Sequence, residues 1–338
     1  MAEAPATVLA GDIGGTKTSL AIFSRESGLG KPLSEATYQS ANYEVFSDMV
    51  REFLSRSDIR VFHACIGVAG PVTRGRTKVT NLPWVLDETE LERDLGFSSV
   101  RLMNDLLAFA NAVPVLESDD LSVISPGERD PEGARAVIAP GTGLGQAYLA
   151  WDGTDFRAYP SEGGHSDFAP ADRFQAELFG YLKDRMDHVS YEKVCSGIGI
   201  RNIYAFLKDG MGMSEPAWLA EELSLAADPV PVIFRHAGGK GHPDGLCQKT
   251  VSIFLSILGS AAGSMALHFM ATGGVYLGGG IPPRILELLQ NGEFMGAFKN
   301  KGKMSGLVSG IPVCVIKSPG AALRGAARCL MKEMGHGE

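Results

Sequence analysis

The chain has 338 residues, enough for two ordinary domains with proper cores. Its 45% hydrophobic and 21% charged residues are the balance of a soluble globular protein, and a formal net charge of −8 leaves no basic surplus to hold a nucleic-acid backbone or an anionic membrane. Five dispersed cysteines (Cys65, Cys195, Cys247, Cys314 and Cys329) form no Cys-x-x-Cys pair, which suggests reduced thiols in a cytoplasmic protein and no structural zinc. No secretory signal is read at the N-terminus, and no segment is expected to reach the length of a membrane span.

Residues 7–10 are an apolar entry into a polar glycine turn (Asp12, Gly14, Gly15, Thr16), and Leu20, Ala21, Ile22 and Phe23 lead out again as a strand. Glycines let the main chain approach a ligand closely, so its N–H groups can point at phosphate oxygens. Asp12 adds a carboxylate for a magnesium ion. A Walker loop needs glycine directly before its Lys-Ser/Thr pair, whereas Thr16 precedes Lys17 and Thr18 here. A dinucleotide fingerprint fails on spacing and on the outgoing strand. What remains is a hairpin phosphate loop, with Lys17 beyond the turn in a position that solvent suits as well as phosphate.

Apolar residues at Phe46, Met49, Val50, Phe53 and Leu54 have helical spacing. Residues 61–69 read as a buried strand, 78–84 as a polar edge holding Asn81 and Trp84, and 88–95 as a helix. A short strand over 100–103 ends at Asn104-Asp105, where open α/β sheets place their chemistry. A helix over 106–112 and a Pro- and Gly-bearing loop over 125–133 follow. Then the opening pattern returns, as a strand over 136–140, the turn Gly141-Thr142-Gly143-Leu144-Gly145 and a strand over 146–151. Either turn alone is compatible with an ordinary tight β-turn. The pair, each with a threonine, suggests two similar halves offering phosphate loops to a shared cleft.

Next come Glu162-Gly163-Gly164-His165, a helical stretch over 174–187 and Glu192. The Gly- and Pro-rich segment 209–245 reads as a surface excursion with one helix near 217–227. A long apolar helix over 251–270 carries small residues (Gly259, Ala261, Ala262, Gly263, Ser264) that suit close packing against a sheet. A strand over 275–277 ends in Gly278-Gly279-Gly280-Ile281, and a strand over 313–317 and a helix over 321–334 close the chain.

The motifs Gly11-Asp12-Ile13-Gly14-Gly15-Thr16, Asn81 with Trp84, Asn104-Asp105, Gly141 to Gly145, Glu162-Gly163-Gly164-His165, Glu192 and Gly278 to Ile281 stand in the order found in a known family. The chain resembles the bacterial glucokinases of the hexokinase and actin-like ATPase superfamily. No cysteine-rich motif follows His165, so it resembles the zinc-free branch. The resemblance implies an α/β fold of two ribonuclease H-like domains, each a mixed sheet flanked by helices, closing over sugar and ATP. The smaller would take residues 1–113 plus about 318–338 and the larger 114–317. The implied activity is ATP- and Mg2+-dependent phosphorylation of glucose at its 6-hydroxyl, and family analogy alone implies a homodimer. Kinases for another hexose or amino sugar, kinases using polyphosphate, and a sugar-sensing regulator share the same frame.

Asp105 is the implied general base, its carboxyl raised by desolvation toward the working range. Read locally, Asn104-Asp105 also serves as the N-cap of the next helix. Asn81, Asn104, Asp105, Glu162, His165 and Glu192 would ring the sugar, and a site of buried polar groups discriminates against a missing hydroxyl. The Glu-x-x-His spacing of Glu162 and His165 suits a metal only on a helix, which Gly163-Gly164 disfavours. Glu192 by itself reads as a solvated charge. Gly11, Gly14, Gly15 and Thr16 with Gly141, Thr142 and Gly143 would bracket the phosphates, and Asp12 would hold magnesium through water. Gly278, Gly279, Gly280 and Ile281 would lie flat against adenosine, unless they are only a strand-to-helix turn.

Overall fold

The computed structural model describes residues 7–79, 82–238 and 242–335. They form two compact units, one of residues 7–120, Asp152–Pro160 and 318–335, the other of Leu121–Trp151 and Ser161–Lys317. The expected range 114–317 therefore gives up 114–120 and Asp152–Pro160 to the first unit. The reason for the latter is the C-terminal helix Ala321–Gly335, whose buried Arg328 donates to the Asp155 carboxylate at 2.6 Å and the Phe156 carbonyl at 3.1 Å.

The first unit is built on strands β1 (Thr7–Ile13), β2 (Lys17–Ser24), β3 (Ser34–Gln39) and β4 (His63–Val68), a small ribbon of β5 (Arg76–Lys78) and β6 (Val85–Asp87), and strand β7 (Ser99–Asn104). The main sheet has the order β3-β2-β1-β4-β7, with β1 antiparallel to β2 and parallel to β4. Strand alternation sends Leu9, Leu20, Ile22 and Ile66 to one face, against Phe46, Met49 and Phe53 of helix α1 (Phe46–Ser55). Helix α2 (Glu88–Leu95) starts on the side chain of Asp87 and stops at Gly96, whose φ of 68° permits the left-handed cap. Val8, Ala10, Ala21 and Cys65 face the other way, against Ala108 of helix α3 (Asp105–Ala112) and Leu323, Ala326 and Ala327 of the C-terminal helix. The contact between these two helices requires Gly325, where a Cβ would lie 1.8 Å from the Ala108 carbonyl oxygen.

The second unit repeats the plan. Its strands are β8 (Leu121–Ser125), β9 (Arg135–Pro140), β10 (Leu144–Trp151), β12 (Gly274–Leu277) and β13 (Val313–Ile316), in the order β10-β9-β12-β13-β8, while β11 (Phe156–Ser161) falls up to Pro160 within the first unit. Here too a glycine hairpin joins two antiparallel strands, β9 and β10, and β9 has a parallel neighbour on its other side, β12. Helices α4 (Arg173–Lys183), α5 (Gly197–Ala205), α6 (Ala217–Leu225) and α7 (Val230–Ala237) precede the 24-residue α8 (Gly245–His268), and α9 (Leu286–Leu289), α10 (Glu293–Lys299) and α11 (Ser305–Ser309) follow it.

Three expectations change here. Segment 209–245 is no mere surface excursion, because Leu219, Val230, Val232 and Ile233 enter the core on two helices, α6 and α7. Helix α8 is long and apolar enough to cross a membrane, contrary to the sequence reading, but 72% of its apolar window is buried within the fold. Its glycines receive a helix rather than a sheet. A Cβ on Gly259 would lie 2.1 Å from the Phe294 carbonyl oxygen and one on Gly263 2.4 Å from that of Phe298, both on α10.

Candidate active site

In the first unit the glycine turn is closed by Gly14 N–H donating to the Lys17 carbonyl at 3.0 Å. It is tethered where Ser40 N–H reaches the Thr16 carbonyl at 2.9 Å. Gly15, Thr16 and Lys17 are exposed, and Gly14 is half-buried. Gly11 lies inside β1, where a Cβ would come within 2.7 Å of Ile66 Cδ1, so its lack of a side chain serves packing.

Asp12 stands near the end of β1, opposite Gly67 on β4, and Asn104 ends β7 beside Val68. The cap of α3 is Asn104 and not Asp105: the Asn104 Oδ1 accepts from Leu106 N–H at 3.0 Å and Leu107 N–H at 3.3 Å. Its amide nitrogen donates to the Gly70 carbonyl at 3.3 Å, so most of its hydrogen-bonding capacity is structural. Asp105 occupies the first helical position, its Oδ1 accepting from Leu106 N–H at 2.8 Å. Gly67 lets α3 sit this close, since a Cβ there would lie 3.1 Å from that of Ala108 and 3.6 Å from the Asp105 Cα.

Asp105 bears on the carboxyl group of Asp12. Burial, and then the charge of Asp105, pushes Asp12 up to about 6. Burial also raises Asp105, against hydrogen bonds from Leu106, from its own N–H and from Asn104 that favour the ionised form. Asn81 lies outside the described residues. Its neighbour Trp84 is buried and donates its ring N–H to the Tyr43 carbonyl at 3.1 Å.

In the second unit Gly141 N–H donates to the Gly143 carbonyl at 2.8 Å, and Gly197 N–H, at the start of α5, donates to the Gly141 carbonyl at 2.8 Å. Glu192 is no solvated charge. It sits in the turn Tyr191–Lys193 with its side chain 16% exposed, and its Oε2 accepts from Leu144 N–H at 3.1 Å. Glu162 precedes and His165 ends a single helical turn, Gly163–His165, which the two glycines were expected to disfavour. Their side chains are 86% and 61% exposed and stand 3.9 Å apart. Among the described residues no group of three His, Cys, Asp or Glu gathers as a metal cage.

The triglycine segment returns to the same loop. Gly278 N–H donates to the Ile138 carbonyl at 2.9 Å and Ile281 N–H to that of Pro140 at 3.2 Å, with Gly279 in the left-handed region at φ 76°. Gly141, Thr142, Gly280 and Ile281 thereby line one cavity of about 890 Å3, together with Phe234 and Arg201. Gly143 faces Glu192 instead. Phe234 and Arg235 at this cavity were missed because they lie on α7, in the segment read as a surface excursion. Gly197 was recoverable, since Ser196 before it is a helix-capping residue that accepts from Gly199 N–H.

A repeated sheet with a glycine hairpin on each copy, carboxylates at the strand ends of one and a large cavity beside the hairpin of the other, defines a sugar kinase of the actin-like ATPase fold. Residues 9–333 match the family model described as Glucokinase. The chain is 37% identical to the glucokinase of Nostoc punctiforme, over 95% of this chain and 98% of that one. It is similar to the crystal structure of a glucokinase from an Antarctic psychrotroph, with TM-score 0.84, 32% identity and coverage of 97% and 99% of the two chains. A ROK family glucokinase from Streptomyces griseus, solved in complex with glucose and AMPPNP, shares the fold at TM-score 0.63 and 18% identity over 96% of this chain and 99% of that one. The chain belongs to the glucokinase family.

Proposed function

We propose that this protein transfers the terminal phosphoryl group of ATP to the 6-hydroxyl of glucose, giving glucose 6-phosphate and ADP. The observation that carries the reading is the Asp105 carboxyl group, raised by burial at the first position of α3 and set beside Asp12. Phosphoryl transfer needs an aligned nucleophile, a base for its proton and partners for the phosphate oxygens. Asp105 accepts the proton of the 6-hydroxyl as that oxygen attacks the γ-phosphorus, the bond to the bridging oxygen breaks, and ADP leaves. A carboxyl raised toward the working pH is the better base, because it holds the proton it takes.

Asn81, Asn104, Glu162, His165 and Glu192 bind the sugar hydroxyls. Gly15 and Thr16 of the first hairpin, and Thr142 and Gly143 of the second, donate backbone N–H groups to the phosphates, while the N–H groups of Gly14 and Gly141 hold their own turns closed. Gly278 to Ile281 with the 890 Å3 cavity receives adenosine. Magnesium fits Asp12: a cation relieves both causes of its raised pKa, and a single carboxylate suits an ion that keeps most of its water. The ion supplies charge neutralisation of the phosphates. The protein works as a homodimer in the cytoplasm, a statement carried by family analogy.

A coupled assay with glucose, mannose, fructose and N-acetylglucosamine, each with ATP or polyphosphate, tests the reading. Glucose with ATP is expected to give the highest kcat/KM, and a higher value for any other pair overturns the assignment of substrate.

A further inference from the structure

Leu144, which follows the Gly141 to Gly143 loop, is bonded at its N–H by a residue assigned to the sugar and packs at its carbonyl on the turn that carries two others. Its N–H donates to Glu192 Oε2 at 3.1 Å, and the backbone leaves room for that oxygen, since a Cβ on Gly143 would lie 2.4 Å from it. The Leu144 carbonyl packs on the turn between Glu162 and His165, where a Cβ on Gly164 would lie 2.0 Å from the carbonyl oxygen. The main chain of Glu192 reaches the other end of the loop. Ser196 Oγ donates to the Glu192 carbonyl, and the next residue, Gly197, donates its N–H to the Gly141 carbonyl. The loop is thus clamped at Gly141 and at Leu144 from one short segment, 192–197.

From this geometry we infer that Glu192 is a positioning residue for the phosphate loop, and that through it sugar occupancy and nucleotide affinity are coupled. The inference rests on the proposed function. Oε2 is engaged with Leu144, while Oε1, 4.0 Å from Lys193 Nζ, is the oxygen for a sugar hydroxyl. A hydroxyl bonded to Oε1 fixes the carboxylate plane and with it Leu144, so the ordering of the loop is met once for both ligands. Coupling of this kind is reciprocal, so the nucleotide must strengthen sugar binding by the same factor.

The test is calorimetric titration of AMPPNP with Mg2+ into the full-length protein, first without sugar and then with saturating glucose. A residue that only contacts sugar leaves nucleotide affinity without sugar unchanged. Loss of the charge-assisted bond to Leu144 in Glu192→Ala is expected to weaken it about tenfold, and Glu192→Gln, whose carbonyl still accepts from the Leu144 N–H, recovers part of the loss. Gly164→Ala, which removes no polar group, is expected to weaken nucleotide binding without sugar as well. For wild type, glucose is expected to tighten AMPPNP binding at least fivefold, within the usual range of such couplings. Affinity without sugar within twofold of wild type in Glu192→Ala overturns the inference. If Glu192→Ala weakens the nucleotide while wild type shows no glucose-dependent turnover, the positioning role stands and the proposed function fails.

Discussion

Replacing Asp12 by Asn separates the cost of this carboxylate to the fold from its use in the site. In the unfolded chain Asp12 ionises near 3.8 and in the folded protein near 6, with burial as the larger cause and Asp105 as the smaller. The folded state holds the proton more tightly, so this group favours folding below pH 3.8, and that contribution is lost as pH rises through 6. At about 1.4 kcal/mol per tenfold change in proton affinity, the gap amounts to about 3 kcal/mol. Asn is neutral throughout and has no such dependence. Urea unfolding of wild type and Asp12→Asn from pH 4 to pH 8 is therefore expected to show the variant gaining on wild type by about 2 kcal/mol between pH 4 and 6, then a plateau by pH 7. Nucleotide turnover falls in the same variant. A stability difference that stays flat with pH, or that moves against the variant, refutes the claim that Asp12 is ionised against its surroundings.

The same titration reaches the metal. Apparent affinity for Mg2+ in the turnover assay is expected to tighten as pH rises from 5 to 7 with a midpoint near 6, as Asp12 gives up its proton, and a pH-independent Mg2+ requirement contradicts Asp12 as the ligand. In the second unit Gly259→Ala sets a methyl group against the Phe294 carbonyl and is expected to destabilise by about 1–3 kcal/mol in urea unfolding; wild-type stability would mean that α10 moves away freely.

Both hairpins were legible because their signal is local, an apolar run, a glycine turn and a second apolar run, and helix α2 was expected at the bounds Glu88–Leu95 that it has. The edge strands β3, β8 and β11 were not read. Their residues are mostly half-buried or exposed, as in Ser34–Gln39 where only Tyr38 is buried, so the sequence carries no apolar run. Helix α7 was hidden by prolines read as breakers, although Pro231 lies in the first turn, where a missing N–H costs nothing. In Asn104-Asp105 the residue types were right and the division of labour was shifted by one position, because both side chains can cap a helix and only the backbone decides which one does. The link from Glu192 to Leu144 joins residues 48 apart, and no spacing rule in a single sequence reports such a contact.

The central claim is that Asp105 takes the proton of a glucose hydroxyl as ATP gives up its phosphoryl group. The direct measurement is ADP release from ATP and Mg2+ by wild type and Asp105→Ala, each with and without glucose. The prediction is release by wild type only when glucose is present, with turnover about 10²–10⁴-fold lower in Asp105→Ala and glucose binding retained. Release that does not depend on glucose, or an Asp105→Ala variant that turns over at the wild-type rate, contradicts it.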